Sequence, residues 1–250
     1  MKKIVPTIML ALLAVACRQD GFTISGTLEG GAGKTLWLEE IAPEGPMFID
    51  SIPMDSQGRF KYRYNPPYRS LYNLHTSESH YIVTLPDKGE HIEVTGRWDN
   101  ISMTYSLKGS PESLLLWQLQ QYTNDGKLVL QALVDTTEHY ARMLAEGLVP
   151  DIVVSSKKHE TDSIYRATFV EQQDYVCRFI EENQGSLATL IALYKPFNNR
   201  ALIDPRDPNS IEYYDLVLEG LQQQLPDNPH TLRFKNTTER HRSALARMEE

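Results

Sequence analysis

Two cysteines, seven histidines and a run of tyrosines are the side chains of this 250-residue chain that could do chemistry. Cys17 and Cys177 are far apart in sequence, so no Cys-x-x-Cys redox pair, Cys-rich zinc site or disulfide scaffold can be assembled from them. An activated thiolate needs a helix N-terminus or clustered cations, whereas Cys177 sits mid-helix beside Val176 and Arg178 and reads as a small buried hydrophobe. His75-Thr76-Ser77-Glu78-Ser79-His80, with His91 nearby, could bring imidazoles and a carboxylate round one loop, as a metal ion or a general base would require. The spacing matches no zinc motif and no Asp/Glu cluster completes it, which leaves a solvated hairpin loop. His159-Glu160 lacks the second His of a zinc-protease helix, and Ser25 lacks the glycines and the strand-to-helix turn of a nucleophile elbow. Gly30-Gly31-Ala32-Gly33-Lys34-Thr35 imitates the end of a phosphate-binding loop, but Leu28 stands where the template needs its first Gly. Leu36-Trp37-Leu38-Glu39 after it is strand-like, so the segment reads as a hairpin turn. These residues predict no catalytic group, no metal and no cofactor. Tyr62, Tyr64, Tyr68, Tyr72 and Tyr81 could form one exposed platform for sugar rings or peptides, although half of any such stripe ordinarily faces a core.

The elements that would carry these residues divide the chain in two. From Phe22 to about Lys108 the apolar pattern has period two, with turn residues at short intervals, as half-buried antiparallel strands require. Phe60, Tyr62 and Tyr64 alternate after the turn Asp55-Ser56-Gln57-Gly58, and Tyr81-Val83-Leu85 and Ile92-Val94 flank Pro86-Asp87-Lys88-Gly89 as a second hairpin. About seven short strands without a helical interval predict a small β-sandwich. At Gly109 the pattern changes: Ser110 is a good N-cap, Pro111 suits the first helical position, and Leu114-Leu115-Trp117-Leu119 open an amphipathic stretch. Tyr165, Phe169, Val176, Phe179 and Ile180 recur at three- and four-residue steps on a helix of about 25 residues. Pro150–Lys158 and Pro205–Asn209 read as connecting loops, and Ile211-Tyr214-Leu218-Leu221 begin a further helix that stops near Pro226. The expected class is α+β, with an antiparallel β-sandwich over residues 17–109 followed by an all-α region over 110–250. The face through Phe169, Val176 and Ile180 must be buried, against the sandwich, a partner or a second copy.

Composition bounds the partners. The chain is 23% charged and 41% apolar with a formal net charge of −8, ordinary for a globular protein and repulsive to phosphate backbones. A nucleic-acid partner is excluded on that ground. Residues 1–16 begin with Met1-Lys2-Lys3 and continue as a largely apolar run, Ile4 to Ala16, too short for the ~20 residues that span a bilayer. This is the pattern of a signal peptide, and Leu13-Ala14-Val15-Ala16-Cys17 resembles a bacterial lipobox, in which the cysteine receives diacylglycerol and becomes the first residue of the mature chain. The resemblance makes Cys17 the lipidation site and the membrane a partner through that anchor. Loss of residues 1–16 removes Lys2 and Lys3 and takes the net charge to −10. Arg18, not Asp, follows the cysteine, which in Gram-negative lipoproteins implies forwarding to the outer membrane, facing the periplasm.

Phe22-Thr23-Ile24-Ser25-Gly26, Asp50 through Phe60, Leu85 through Gly96, and Leu107-Lys108-Gly109-Ser110 form an ordered succession. It resembles the N-terminal β-sandwich domain of unknown function in bacterial thiol-disulfide interchange lipoproteins, over about residues 20–110. In that family a helical connector follows, then a thioredoxin-like domain with Cys-x-x-Cys. Here the chain reaches Glu250 where such a domain would begin, and no residue matches the family's catalytic pair. The expected function is therefore a lipid-anchored, non-catalytic envelope protein that binds or positions a partner or associates with itself. Two alternatives stay open: a thiol-disulfide oxidoreductase whose catalytic domain lies outside this chain, and a glycan-binding module using the tyrosines.

Overall fold

The computed structural model describes residues 20–248. Eight strands run in order before the long helices: β1 (Phe22–Glu29), β2 (Thr35–Ala42), β3 (Gly45–Pro53), β4 (Arg59–Tyr64), β5 (Tyr72–His75), β6 (Tyr81–Thr84), β7 (His91–Arg97) and β8 (Ser106–Lys108). They form two four-stranded sheets ordered β4-β1-β7-β8 and β3-β2-β5-β6. Period-two alternation sends Ile24, Leu36, Leu38, Phe60, Leu74, Ile82, Ile92 and Val94 into one shared core between the sheets. The first sheet is mixed rather than purely antiparallel, because β1 pairs β7 in parallel, from Thr23 opposite His91 to Glu29 opposite Arg97.

That topology corrects one local expectation. Tyr81–Leu85 and Ile92–Val94 do not form a hairpin: β6 pairs β5 in one sheet, whereas β7 pairs β1 and β8 in the other. Pro86–Glu90 is thus a crossing between sheets. Both strands alternate and a Gly-containing turn separates them, so period alone could not tell a hairpin from a crossover. The turn at Asp55–Gly58 is as expected. The Asp55 carboxylate accepts from the amides of Gln57 at 2.8 Å and Arg59 at 2.9 Å, and Gly58 supplies the positive φ of +73°.

Beyond the short helix α1 (Ile101–Thr104), the C-terminal part is built from α2 (Pro111–Ala145), α3 (Asp151–Glu182), α4 (Ala188–Leu193), α5 (Ile211–Gln224) and α6 (Pro229–Ala246). Ser110 caps α2 by accepting from the Ser113 amide at 3.3 Å, and Pro111 occupies the first turn. Residues 151–158 belong to α3, so the loop expected at Pro150–Lys158 lies earlier. Gly147, at φ +71°, ends α2 with its amide on Leu144 O and that of Leu148 on Met143 O, and Pro150 then precedes the next helix. A small strand pair, β9 (Pro196–Phe197) and β10 (Arg200–Ala201), interrupts the helices; it turns on Asn198 and Asn199, both left-handed.

Phe169, Val176, Phe179 and Ile180 of α3 are buried in a second core with Leu116, Leu119, Leu193, Phe197 and Tyr214. The face expected to need a partner is thus covered within the chain. Close approach of α2 and α3 depends on Gly126, where a Cβ would come within 2.8 Å of the Gln172 side chain and 3.0 Å of the Phe197 ring. The same core includes Leu71 and Leu85, with Ile41 and Val83 against it, so the helices cover the outer face of the β3-β2-β5-β6 sheet. Polar ties fix this seam: the Leu85 amide donates to Ser113 Oγ at 2.9 Å, Trp117 Nε1 to Tyr105 O at 2.9 Å, and Asn228 Nδ2 to Arg69 O at 2.8 Å.

Candidate functional site

Where the helices leave that sheet face uncovered, a cleft of about 760 Å³ remains. Its floor is the outward face of the sheet, with Ile41 of β2, Asn73 of β5, and Tyr81 and Val83 of β6. Its walls are Gln120 and Lys127 of α2, Leu190 and Ile191 of α4 with Tyr194 and Lys195 just after it, and His230, Arg233 and Phe234 of α6. The volume lies in the range of small-molecule sites, and the mixture of apolar wall with a few converging polar groups is typical of them. Charge distinguishes it further. In a chain of net charge −8, no Asp or Glu among the described residues lines the cleft, while Lys127, Lys195 and Arg233 do.

Lys195 is the most perturbed of these groups. It lies directly after α4 and before β9, and its Nζ donates to Gln120 Oε1 at 2.9 Å. Gln120 is held in turn, since its Nε2 donates to Asn124 Oδ1 at 2.7 Å and Asn124 Nδ2 donates to Ser102 O at 3.0 Å. This relay leaves the amide oxygen facing the ammonium. No carboxylate lies within 4 Å of Lys195 Nζ among the described residues. Burial, and then repulsion from Lys127, brings its pKa down to about 8. At neutral pH it is still mostly protonated, a poorly hydrated cation with no counter-charge beside it among the described residues. Arg233 differs, because Glu44 lies 3.7 Å from it.

His230 occupies the first turn of α6, its amide donating to the cap residue Asn228 at 2.9 Å. Its Nε2 lies 2.8 Å from Ser70 Oγ, and burial lowers its pKa, with Glu40 opposing. It faces the cleft as a neutral imidazole at pH 7.

The five tyrosines do not share one exposed face. Strand alternation turns Tyr62 and Tyr64 toward the core with Phe60, and Tyr72, paired with Glu40 across β5 and β2, is fully buried. Tyr64 packs edge-on against both Phe22 and Tyr72. Tyr64, Tyr68 and Tyr72 gather round the buried Glu40 carboxylate. Burial and hydrogen bonding to Glu40 push Tyr68 up to about 12, and burial with Asp50 does the same for Tyr62. Tyr81 alone is substantially exposed, at 43%; it lies in the same sheet as Tyr72 but on its outer face, at the cleft, tilted against His75.

The remaining candidates stay apart. His75 lies 3.4 Å from Glu39, His80 Nδ1 lies 3.2 Å from Ser77 Oγ, and no group of three metal-binding side chains exists among the described residues. The parallel β1–β7 pairing does bring Ser25 Oγ to 2.7 Å from His91 Nε2, which the spacing did not suggest. The pair is exposed, and among the described residues no carboxylate hydrogen-bonds His91 to orient it as a triad requires. Cys177 is half-buried, and burial pushes its thiol pKa up, the opposite of activation. Cys17 lies outside the described residues, and no described helix is long and apolar enough to cross a membrane.

Sequence reasoning missed Lys195, Lys127, Gln120 and Arg233, because they belong to no motif and meet only when α2, α4 and α6 close on the sheet. The one available signal was Lys195-Pro196 at the end of the apolar segment Leu187–Tyr194, a cation placed where a helix must stop. Set against known protein families and curated proteins, the sequence matches none.

Proposed function

We propose that this chain is a lipid-anchored, non-catalytic envelope protein that captures a ligand in the cleft between its sandwich and its helices. The observation that carries the reading is Lys195, a desolvated ammonium kept on a cleft wall with no carboxylate partner among the described residues. Burying an uncompensated charge costs stability, and such costs concentrate at functional sites. Anchoring rests on the lipobox-like segment ending at Cys17, and outer-membrane placement rests on Arg18. Kinship with the front part of thiol-disulfide lipoproteins rests on the strand motifs quoted above, and in that kinship the chain serves as a recognition module rather than a redox one.

Native mass spectrometry of the protein released gently from its own membranes tests the binding reading. The wild type should carry a small-molecule adduct that a cleft-filling Ile191→Trp variant lacks. Identical spectra without adduct, from protein that also gains no thermal stability from a membrane extract, would overturn it.

A further inference from the structure

The cleft has two chemically different parts. One is aliphatic, formed by Ile41 and Val83 from the sheet and Leu190 and Ile191 from α4. The other is cationic, with Lys195 on the wall and the exposed Lys127 beyond it. A wholly apolar ligand would leave the ammonium unpaired, and a small inorganic anion would leave the aliphatic wall wet. Only a molecule with both characters satisfies both parts.

We propose that the cleft binds a single-chain amphiphile with a carboxylate head, the class of a fatty acid, with its head at Lys195 and Lys127 and its chain along Ile41, Val83, Leu190 and Ile191. The inference rests on the binding reading above and names its ligand. Complementarity of charge decides the sign of the head, since among the described residues every charged side chain lining the cleft is basic. The kind of basic group decides its identity. Phosphate recognition favours the guanidinium fork, and Arg233, the guanidinium here, already has Glu44 at 3.7 Å. Among the described residues, the groups without a carboxylate partner are two ammonium ions, compact point charges suited to one carboxylate. Gln120 Oε1, pinned by its relay to Asn124, holds Lys195 Nζ in place without neutralising it. Pairing with a carboxylate would restore the solvation that the ammonium lost on burial.

Photolabelling of washed membranes containing the full lipoprotein tests this. The probe is a twelve-carbon fatty acid with a diazirine in the chain and an alkyne handle. Label should fall on peptides carrying Val83 or Leu190-Ile191, be competed by dodecanoate, and resist dodecyltrimethylammonium and dodecyl maltoside. Lys195→Met should weaken labelling about ten-fold or more, as loss of a charge-assisted contact does. Lys127→Met, at an exposed position that does not test folding, should weaken it several-fold. Equal labelling of wild type and both variants, competed by the neutral maltoside, would overturn the carboxylate assignment while leaving a cleft that binds apolar chains. Stronger competition by dodecyl phosphate than by dodecanoate would also overturn it, in favour of a phosphate head. Absence of cleft label in protein that still shows a native adduct would place the ligand in another class. Absence of both would remove the binding reading itself.

Discussion

Lys195→Met should make the unliganded protein more stable, and by an amount that depends on pH. An ammonium whose pKa falls from 10.5 to about 8 on folding is disfavoured by about 3 kcal/mol in the folded state at neutral pH. Methionine fills the same stem volume beside Leu190 and Ile191 but leaves Gln120 Oε1 without its donor, which returns about 1 kcal/mol. The net gain is about 2 kcal/mol, or roughly 4–8 °C in Tm for a chain of this size. The sign in pH is set by proton counting. Below about pH 8 both folded and unfolded wild type hold the proton and the full penalty applies. Between about 8 and 10.5 only the unfolded chain holds it, so wild-type stability rises with pH relative to the variant and the gap closes. Urea unfolding followed by circular dichroism, on both proteins from pH 6 to 10.5, reads this difference. The many tyrosines whose ionisation burial also suppresses are common to both proteins and cancel. A variant less stable than wild type at pH 7, or a gap that stays constant through pH 10, would refute the account of Lys195 as an unpaired, desolvated charge. A stability gain lost again when dodecanoate is added to both proteins would show why the charge is retained.

Cys17→Ser should abolish incorporation of labelled palmitate into the protein, and equal detergent partitioning of both forms would remove the lipid anchor. Because burial raises the Cys177 thiol pKa, iodoacetamide should modify it more slowly than a free cysteine, with the rate still climbing above pH 9. The purified mature chain should not turn over a disulfide substrate, and multiple turnovers at thioredoxin-like rates would contradict this. The depressed pKa of His230 means that the unfolded imidazole protonates first as pH falls below 6.5, so stability declines there; His230→Gln should flatten that decline, and an unchanged slope would count against it. Gly126→Val should cost about 2 kcal/mol through overlap with Gln172 and Phe197, measured as a lower urea midpoint, and a neutral result would mean α2 and α3 can separate without loss.

The division into strands and helices was legible because period two and period 3.6 are local properties, and Gly109-Ser110-Pro111 carries its own start signal whatever it packs against. The same is true of the Asp55–Gly58 turn, whose hydrogen bonds are made within five residues. The buried face of α3 was legible too, but what covers it was not. The sequence also allowed Tyr62, Tyr64, Tyr68, Tyr72 and Tyr81 to form one platform, because alternation says which residues share a strand face and not which face is inside. The sheet order decided that, turning Tyr72 with Glu40 into the core and Tyr81, on the next strand of the same sheet, outward to the cleft. The Pro86–Glu90 crossing depended likewise on which sheet claims β7 through its parallel pairing with β1. Lys127, Lys195 and Arg233 are ordinary surface cations in the sequence. They form one cluster only because α2, the end of α4, and α6 converge on one sheet face, and because that closure strips water from Lys195 with no described carboxylate beside it. Desolvation is a property of the assembled volume around a group, and no local pattern of residues encodes it.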